Sequence, residues 1–471
     1  MIEPVEIPRI VVAAPATGQG KTTVATGLMA ALVRAGHVVS GHKVGPDYID
    51  PGYHALACGR PGRNLDPHLV GESLVAPLLL HGAAVPVPAD VAVIEGVMGL
   101  YDGRIGGDGF SSTAHVARLT RTPVVLVVDI SKSSRSIGAV VHGMATWDPT
   151  IEIAGVILNQ AGSARHAEEV RSSISVPVLG VIPRNPDIAT PSRHLGLVTA
   201  AERGESADVV ARLAEVVTEH VDLEAVLEIA RSAPPIDAVA WSPSVVEVRA
   251  PASPSVVEVR APASLETPAR RPVVAVAAGR AFTFQYAETS ELLEAAGCEV
   301  VPFDPALDST LPAGTAGLYL GGGFPEVHAK DLTDNAALRE EIRAAVADGL
   351  PTVAECAGLL YLCRTLDDVP MAGVIDADAA MNERLTLRYP VATGVADTLL
   401  TRAGEQVTGH EFHRTQVAPT SGATPAWEVD GEQVGFASDT LHASYLHTHW
   451  AGHPQLAARF AAAVHDRHAR G

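Results

Sequence analysis

The run Ile10-Val11-Val12-Ala13-Ala14-Pro15-Ala16-Thr17-Gly18-Gln19-Gly20-Lys21-Thr22-Thr23 decides the fold of the first half of this chain. Its leading apolar residues have the length and composition of a buried strand. The Gly-rich stretch that follows opens a helical pattern, which ends near Gly36. A strand, a glycine loop and a helix in that order gather backbone N–H groups around one point, and the helix N-terminus adds partial positive charge there. The pattern predicts a cradle for nucleotide phosphates built from Thr17, Gly18, Gln19, Gly20, Lys21, Thr22 and Thr23. Within it the Lys21 ammonium is expected at the β- and γ-phosphates of ATP, and the Thr22 hydroxyl at Mg²⁺.

Working outward, short apolar runs alternate with helical patterns up to Ser232: His37 to Lys43, Asp90 to Glu95, Pro123 to Ile130, Ile153 to Asn159 and Val176 to Ile182. Alternation of this kind predicts a parallel sheet with helices on both faces. Two polar segments follow strands of that sheet. One is Lys43-Val44-Gly45-Pro46-Asp47-Tyr48-Ile49-Asp50-Pro51-Gly52-Tyr53-His54, and the other is Glu95-Gly96-Val97-Met98-Gly99-Leu100-Tyr101-Asp102-Gly103. Both lie beyond the carboxyl ends of strands, where open α/β sheets bind ligands. A lone Asp after a strand can also be a turn or helix cap, and that alternative weighs more for Asp50 than for Asp47 or Glu95.

Between Ser232 and Arg271 the alternation breaks. The unit Ser-Pro-Ser-Val-Val-Glu-Val-Arg-Ala-Pro-Ala occupies 242–252 and again, identically, 253–263. Its Pro, Ala and Ser content predicts an extended, hydrated linker over 233–271, although each Val-Val-Glu-Val run could add an edge strand. From 272 to 471 the chain returns to α/β alternation, so two α/β domains, 1–232 and 272–471, are expected. In the second, Val353-Ala354-Glu355 reads as a buried strand that turns into a helix at Cys356. A cysteine at such an elbow is exposed by the turn, and the adjoining helix N-terminus is expected to favour its thiolate.

The composition, 47% apolar with 42 glycines and 34 prolines in 471 residues, is that of a globular protein too long for one core. Four cysteines without a paired motif and no leader-like first segment predict a cytoplasmic protein with free thiols. No uninterrupted apolar stretch is long enough to span a membrane. The formal charge of -20 argues against a nucleic-acid partner, since phosphate-backbone binding needs clustered Lys and Arg. An anionic substrate would need a local basic pocket to oppose that field.

The loop around Lys21, with Pro15 where phosphate loops commonly begin with Gly, resembles the dethiobiotin-synthetase-like branch. The segments at 43–54 and 95–103 resemble the signatures of the corrin a,c-diamide synthase family, glutamine-hydrolysing ligases of the vitamin B12 pathway. Leu320-Gly321-Gly322-Gly323-Phe324-Pro325-Glu326 and Ala443-Ser444-Tyr445-Leu446-His447-Thr448-His449 resemble the oxyanion loop and base-histidine segment of class I glutamine amidotransferases. Gly409 to Thr415 and Arg193 to Leu197 also match the family's pattern, without an assigned role.

The resemblance implies ATP and L-glutamine as co-substrates, Mg²⁺ as cofactor and a corrin polycarboxylate as the molecule amidated at its a and c acetates. It implies Thr22, Asp47 and Glu95 as Mg²⁺ ligands, and Asp50 and Asp102 near the substrate carboxylate or acyl phosphate. Lys43 would stabilise the transferring phosphoryl group, and Asn159, at a strand end, would read adenine. Cys356 would be the nucleophile and His447 its base, with oxyanion donors among Gly322, Gly323, Phe324 and Ala357. Many class I glutaminases carry Glu where His449 stands, so the third member of the catalytic set stays open. A cobyric acid synthase, or another tetrapyrrole ligase, is the rival enzyme. A nucleotide-switched partitioning protein is the rival of another class, disfavoured because Ala16 and Thr17 lack the extra lysine of such loops. A homodimer is admitted, but oligomeric state is not written in these motifs.

Overall fold

The computed structural model describes residues 4–185, 192–193, 196–197, 206–244, 246–250, 253–257 and 271–470. The chain divides into two compact units, one of residues 1–67 and 71–241, the other of 68–70 and 242–471.

The first unit is built on a seven-stranded sheet: β1 (Arg9–Ala13), β2 (Val39–Val44), β3 (Arg63–Leu65), β4 (Val91–Glu95), β5 (Val124–Asp129), β6 (Ile153–Ala161) and β7 (Val178–Pro183). The spatial order is β3-β2-β4-β1-β5-β6-β7, and every neighbouring pair is parallel. Strands β1, β2 and β4 are buried along their whole length; β1 and β4 are apolar but for Arg9 and Glu95, whereas β2 carries Ser40, His42 and Lys43 in the interior. The three-residue β3, Arg-Asn-Leu, carries no such run and was not anticipated.

Because β1 lies between β4 and β5, and β2 beside β4, the loops leaving β1, β2 and β4 emerge side by side at one end of the sheet. Helix α1 (Lys21–Arg34) leaves the loop after β1, and α2 (Asp50–Cys58) the loop after β2.

The second unit holds a six-stranded sheet in the order Glu299–Phe303, Val273–Ala277, Thr315–Leu320, Thr352–Glu355, Leu441–Ser444, Phe436–Ala437. It is parallel except at the last pair. A second sheet, largely antiparallel, is centred on the long strands Asp378–Arg388 and Gln406–Ala418. The sequence reading did not anticipate it. It occupies much of the interval between the strand before Cys356 and the strand before His447, and these two strands pair directly, Glu355 beside Ser444.

The repeated segment forms a two-stranded antiparallel ribbon, Val246–Ala250 against Ser253–Val257. Its β-branched runs pair with each other and join neither main sheet. The start of the expected linker is not extended and hydrated: up to Trp241 it belongs to the first unit, with Ile236 bridged to Val5 and Trp241 buried, its N–H donating to the Pro77 carbonyl. Residues 245, 251–252 and 258–270, as well as His194 and Leu195 of the unassigned family segment, lie outside the described residues.

Candidate active sites

In the first unit the phosphate loop is held open by its own backbone. Helix α1 starts at Gly20 (φ 90°) without a side-chain cap, so its first N–H groups remain for an anion. A Cβ at Gly20 would lie 2.2 Å from Asn159 Nδ2, so this position needs glycine for space as well as conformation. Thr17 and Gly18 are exposed, and Gln19, Gly20, Thr22 and Thr23 are half-buried.

Lys21 is buried and donates to the Met98 carbonyl at 2.5 Å. Burial, and then the charge of Lys43, lowers its ammonium to about 8 against the opposing pull of Glu95, Asp50 and Asp102. A phosphate anion would relieve both effects.

Beneath the loop a buried ionic cluster has formed. Thr22 Oγ1 donates to Glu95 Oε1 at 2.6 Å and to Asp50 Oδ2 at 3.2 Å. Lys43 Nζ stands 2.9 Å from Glu95 Oε1 and 2.7 Å from Asp50 Oδ2, and donates to the Gly96 carbonyl at 3.0 Å. His54 Nε2 lies 2.7 Å from Glu95 Oε2. Burial alone would neutralise Glu95, but Lys43, His54 and Thr22 hold it far below the usual carboxylate range. Burial, with Asp47 and Glu95 nearby, pushes Asp50 well up despite Lys43. Lys43 stays protonated because Asp50, Glu95 and Asp47 together outweigh its desolvation.

The turn-capping contact falls to Asp47 rather than to Asp50. Asp47 Oδ1 accepts from the N–H groups of Ile49 (2.8 Å) and Asp50 (3.0 Å), so Asp47 closes the turn before α2. Asp50 is the carboxylate drawn into contact with Thr22 and Lys43. Among the described residues no three His, Cys, Asp or Glu side chains are grouped as a metal set. The oxygens of Thr22, Glu95 and Asp50 nonetheless suit Mg²⁺, a hard cation that keeps water and substrate phosphate in its shell.

Asp102 is exposed and accepts from the Gly99 N–H at 3.0 Å. Asn159 donates through Nδ2 to the Gln19 carbonyl (3.0 Å) and accepts through Oδ1 from the Gln160 N–H (2.9 Å). Its amide therefore braces the phosphate loop, and adenine contact would require it to release these partners. His54, quoted in the sequence without a role, is the clearest omission; its place four residues into α2 from Asp50 was the available signal.

In the second unit Cys356 caps the helix Ala357–Leu362 at φ 49° and ψ −97°, a backbone conformation that a side-chain-bearing residue adopts only under constraint. Its N–H donates to the Ser444 carbonyl at 2.8 Å, which fixes the elbow to the strand leading toward His447. The thiol is buried, and burial with the Glu326 charge pushes it up, opposed by the Ala357 N–H. The expected bias toward thiolate from the helix terminus is thus outweighed, and a proton acceptor is needed.

His447 is buried with its Nδ1 3.5 Å from Glu355 Oε2, and its ring stacks on His410 at 4.8 Å. Its opposite edge faces the glycine loop, since a Cβ at Gly322 would meet His447 Cε1 at 2.6 Å and Nε2 at 3.3 Å. In that loop the Gly322 N–H donates to the Phe284 carbonyl and the Phe324 N–H to the Ala281 carbonyl. Among the described residues Gly323 N–H and Ala357 N–H are the donors of the expected set not spent on a backbone carbonyl.

Comparison with known proteins divides the chain in the same way. Residues 10–198 match the CobQ/CobB/MinD/ParA nucleotide binding domain, and residues 273–455 match the CobB/CobQ-like glutamine amidotransferase domain. The hydrogenobyrinate a,c-diamide synthase of Thermobifida fusca is 60% identical over 97% of each chain. That of Streptomyces coelicolor is 54% identical over 96% of this chain and 97% of its own. A cobyrinate a,c-diamide synthase of Dehalococcoides mccartyi is 40% identical over the same shares.

Proposed function

The chain belongs to the a,c-diamide synthase family, and from that premise we propose that it amidates the a and c acetate carboxylates of a corrin precursor, with ATP as activator and glutamine as nitrogen source. The observation that carries this reading is the presence, in one chain matched over 97% of its length by such an enzyme, of a phosphate loop over a buried Thr22–Glu95–Lys43 cluster and a cysteine elbow hydrogen-bonded to the strand that leads toward His447. Residues 1–232 would form the ligase half, 272–471 the glutaminase half, and 233–271 the connection.

In the ligase half a substrate carboxylate oxygen attacks the γ-phosphorus of ATP, giving an acyl phosphate and ADP. Lys21 and the loop N–H groups gather the phosphate charge, and Lys43 supports the transferring group from below. Mg²⁺, held by Thr22, Glu95 and one of Asp50 and Asp47, would neutralise phosphate charge. Asp102, exposed on the loop after β4, would act near the substrate carboxylate or the acyl phosphate.

In the glutaminase half Cys356 loses its proton to His447 and attacks the glutamine amide carbon. Gly323 and Ala357 N–H groups would receive the oxyanion. Ammonia leaves with the proton from His447, water hydrolyses the thioester to glutamate, and ammonia displaces phosphate from the acyl phosphate.

Among the described residues no helix is long and apolar enough to cross a membrane. The deciding experiment incubates the protein with ATP, Mg²⁺, glutamine and either the cobalt-free or the cobalt-containing ring, and weighs the products. Two amides per ring support the proposal. Four would indicate a cobyric acid synthase, and none, with glutamine still hydrolysed, would indicate a different acceptor.

A further inference from the structure

We propose that Glu355, the residue immediately before the nucleophile, is the positioning acid that orients His447; this rests on the glutaminase reading above. The family pattern offers no acid two residues beyond the base, because that place is taken by His449. His449 is not placed on His447. It lies 3.6 Å from Glu288 Oε2, with its ring 4.2 Å from that of Tyr286.

The carboxylate that does face His447 is Glu355. Its Oε1 accepts from the Thr448 N–H (3.3 Å) and from Thr448 Oγ1 (3.0 Å), and its Oε2 accepts from the Tyr319 hydroxyl (3.1 Å). Those bonds hold Oε2 in place 3.5 Å from His447 Nδ1, with Glu355 4% and His447 2% exposed. A carboxylate this deep requires polar partners on both oxygens, and the His447 imidazole is the cationic partner within reach once it takes up a proton.

The separation is that of an ion pair rather than a short hydrogen bond, and His447 Nδ1 has no other hydrogen-bond partner among the described residues. Catalytic hydrogen bonds are commonly long before substrate binds and tighten in the complex. The ring's other edge points at the Gly322 loop, so the two nitrogens face different tasks.

Glu355 holds the proton on Nδ1, which leaves the Nε2 lone pair to accept the Cys356 thiol proton as sulfur bonds to the amide carbon. The imidazolium formed then sits against a carboxylate. When the C–N bond breaks, Nε2 returns the proton to the departing ammonia. Glu355 touches no reacting atom and acts through His447 alone.

The test is steady-state glutamine hydrolysis by the full chain in four forms: parent, Glu355→Gln, Glu355→Asp and Cys356→Ser. Glu355→Gln keeps the shape and an oxygen for Thr448 but removes the charge. Its kcat should fall by about a hundredfold or more with KM for glutamine within about threefold, since orientation of the base matters in the transition state and not in binding. Synthesis driven by ammonium salt, and the melting temperature, should match the parent. Glu355→Asp, which keeps a charge one methylene away, should recover about tenfold of the loss.

A Glu355→Gln kcat within about threefold of the parent overturns the proposal, as does a loss confined to KM. An Asp variant no better than Gln also overturns it, because Glu355 would then only fill space. If Glu355→Gln does not fold, the Asp variant decides: lowered kcat at parental KM supports the role, and unchanged kcat or raised KM refutes it. Hydrolysis persisting in Cys356→Ser would instead remove the glutaminase reading itself.

Discussion

Lys43 Nζ lies 2.7 Å from Asp50 Oδ2, both side chains almost sealed from solvent, and the same ammonium is 2.9 Å from Glu95. One cation thus faces two buried acids, of which Glu95 is held in its charged form and Asp50 is pushed toward its neutral one. Lys43→Ala should lower stability by about 3–5 kcal/mol, the usual cost of stranding a buried charge. Urea unfolding measures this directly. Added Mg²⁺ should recover part of the loss in the variant and little in the parent. Coincident midpoints for the two proteins would show that Lys43 does not hold the cluster together.

Lys21 is the other buried cation of this site; it donates to the Met98 carbonyl and, among the described residues, forms no ion pair with a carboxylate. Its charge is therefore directed at a ligand. Lys21→Ala should abolish amide synthesis with glutamine and with ammonia alike, because both routes need the acyl phosphate. Glutamine hydrolysis should survive, since Cys356 and His447 are in the other unit. Substantial synthesis by this variant would remove the phosphate loop from the mechanism.

Acid should weaken the second unit well before its carboxylates titrate. Burial holds His442 neutral down to about 3 and His453 to about 4, and His453 Nε2 accepts from the Thr408 N–H at 3.0 Å, a contact that only the unprotonated nitrogen can make. Above the unfolded value near 6.5 both are neutral in either state and contribute nothing. As pH falls below that value the unfolded chain takes up protons first, and stability drops by about 1.4 kcal/mol per pH unit for each group until the folded value is reached. Unfolding midpoints measured from pH 7 to pH 4 should fall steeply in the parent and less steeply in His453→Gln. Parallel curves for the two proteins would locate the acid sensitivity elsewhere.

The parallel sheets of both units were legible because strands such as β1, β4 and Val273–Ala277, buried on two faces, are written mostly in Val, Ile and Ala, with β2 the polar exception. The long antiparallel strands were not. Asp378–Arg388 alternates irregularly between exposed and half-buried positions, and its register against Gln406–Ala418 shifts between Met381 and Thr386. That breaks the period of two by which such a strand is recognised.

In the sites, glycine spacing announced the phosphate loop, and the strand-to-helix turn announced Cys356. The parts of Asp47 and Asp50 could not be told apart by position, since both lie in the segment between the end of β2 at Val44 and the first turn of α2. What separates them is that Asp47 has free N–H groups two and three residues ahead of it and Asp50 does not. Glu355 was hidden for a different reason: its partner His447 is brought to it by the pairing of Glu355 with Ser444, which no local pattern records.

Replacing Cys356 by Ser keeps the elbow and its hydrogen bond to the Ser444 carbonyl, and leaves His447 in place, while removing the thiol. Serine's hydroxyl is a far weaker acid, and the surroundings already push the native thiol up through burial and Glu326, so the variant has no means of forming the thioester. Glutamine-dependent synthesis should fall by several orders of magnitude. The ATP site belongs to the other unit and shares no residue with this one, so acyl phosphate should still form. Ammonium salt at a pH that supplies free ammonia should then restore amidation to near the parental ammonia rate, because an acyl phosphate does not distinguish the source of its nucleophile. The measurement compares glutamine-driven with ammonia-driven product formation in parent and variant at fixed ATP and Mg²⁺. Equal loss of both activities in a folded variant would mean that Cys356 serves the ligase as well, and the division of labour between the two units would have to be abandoned.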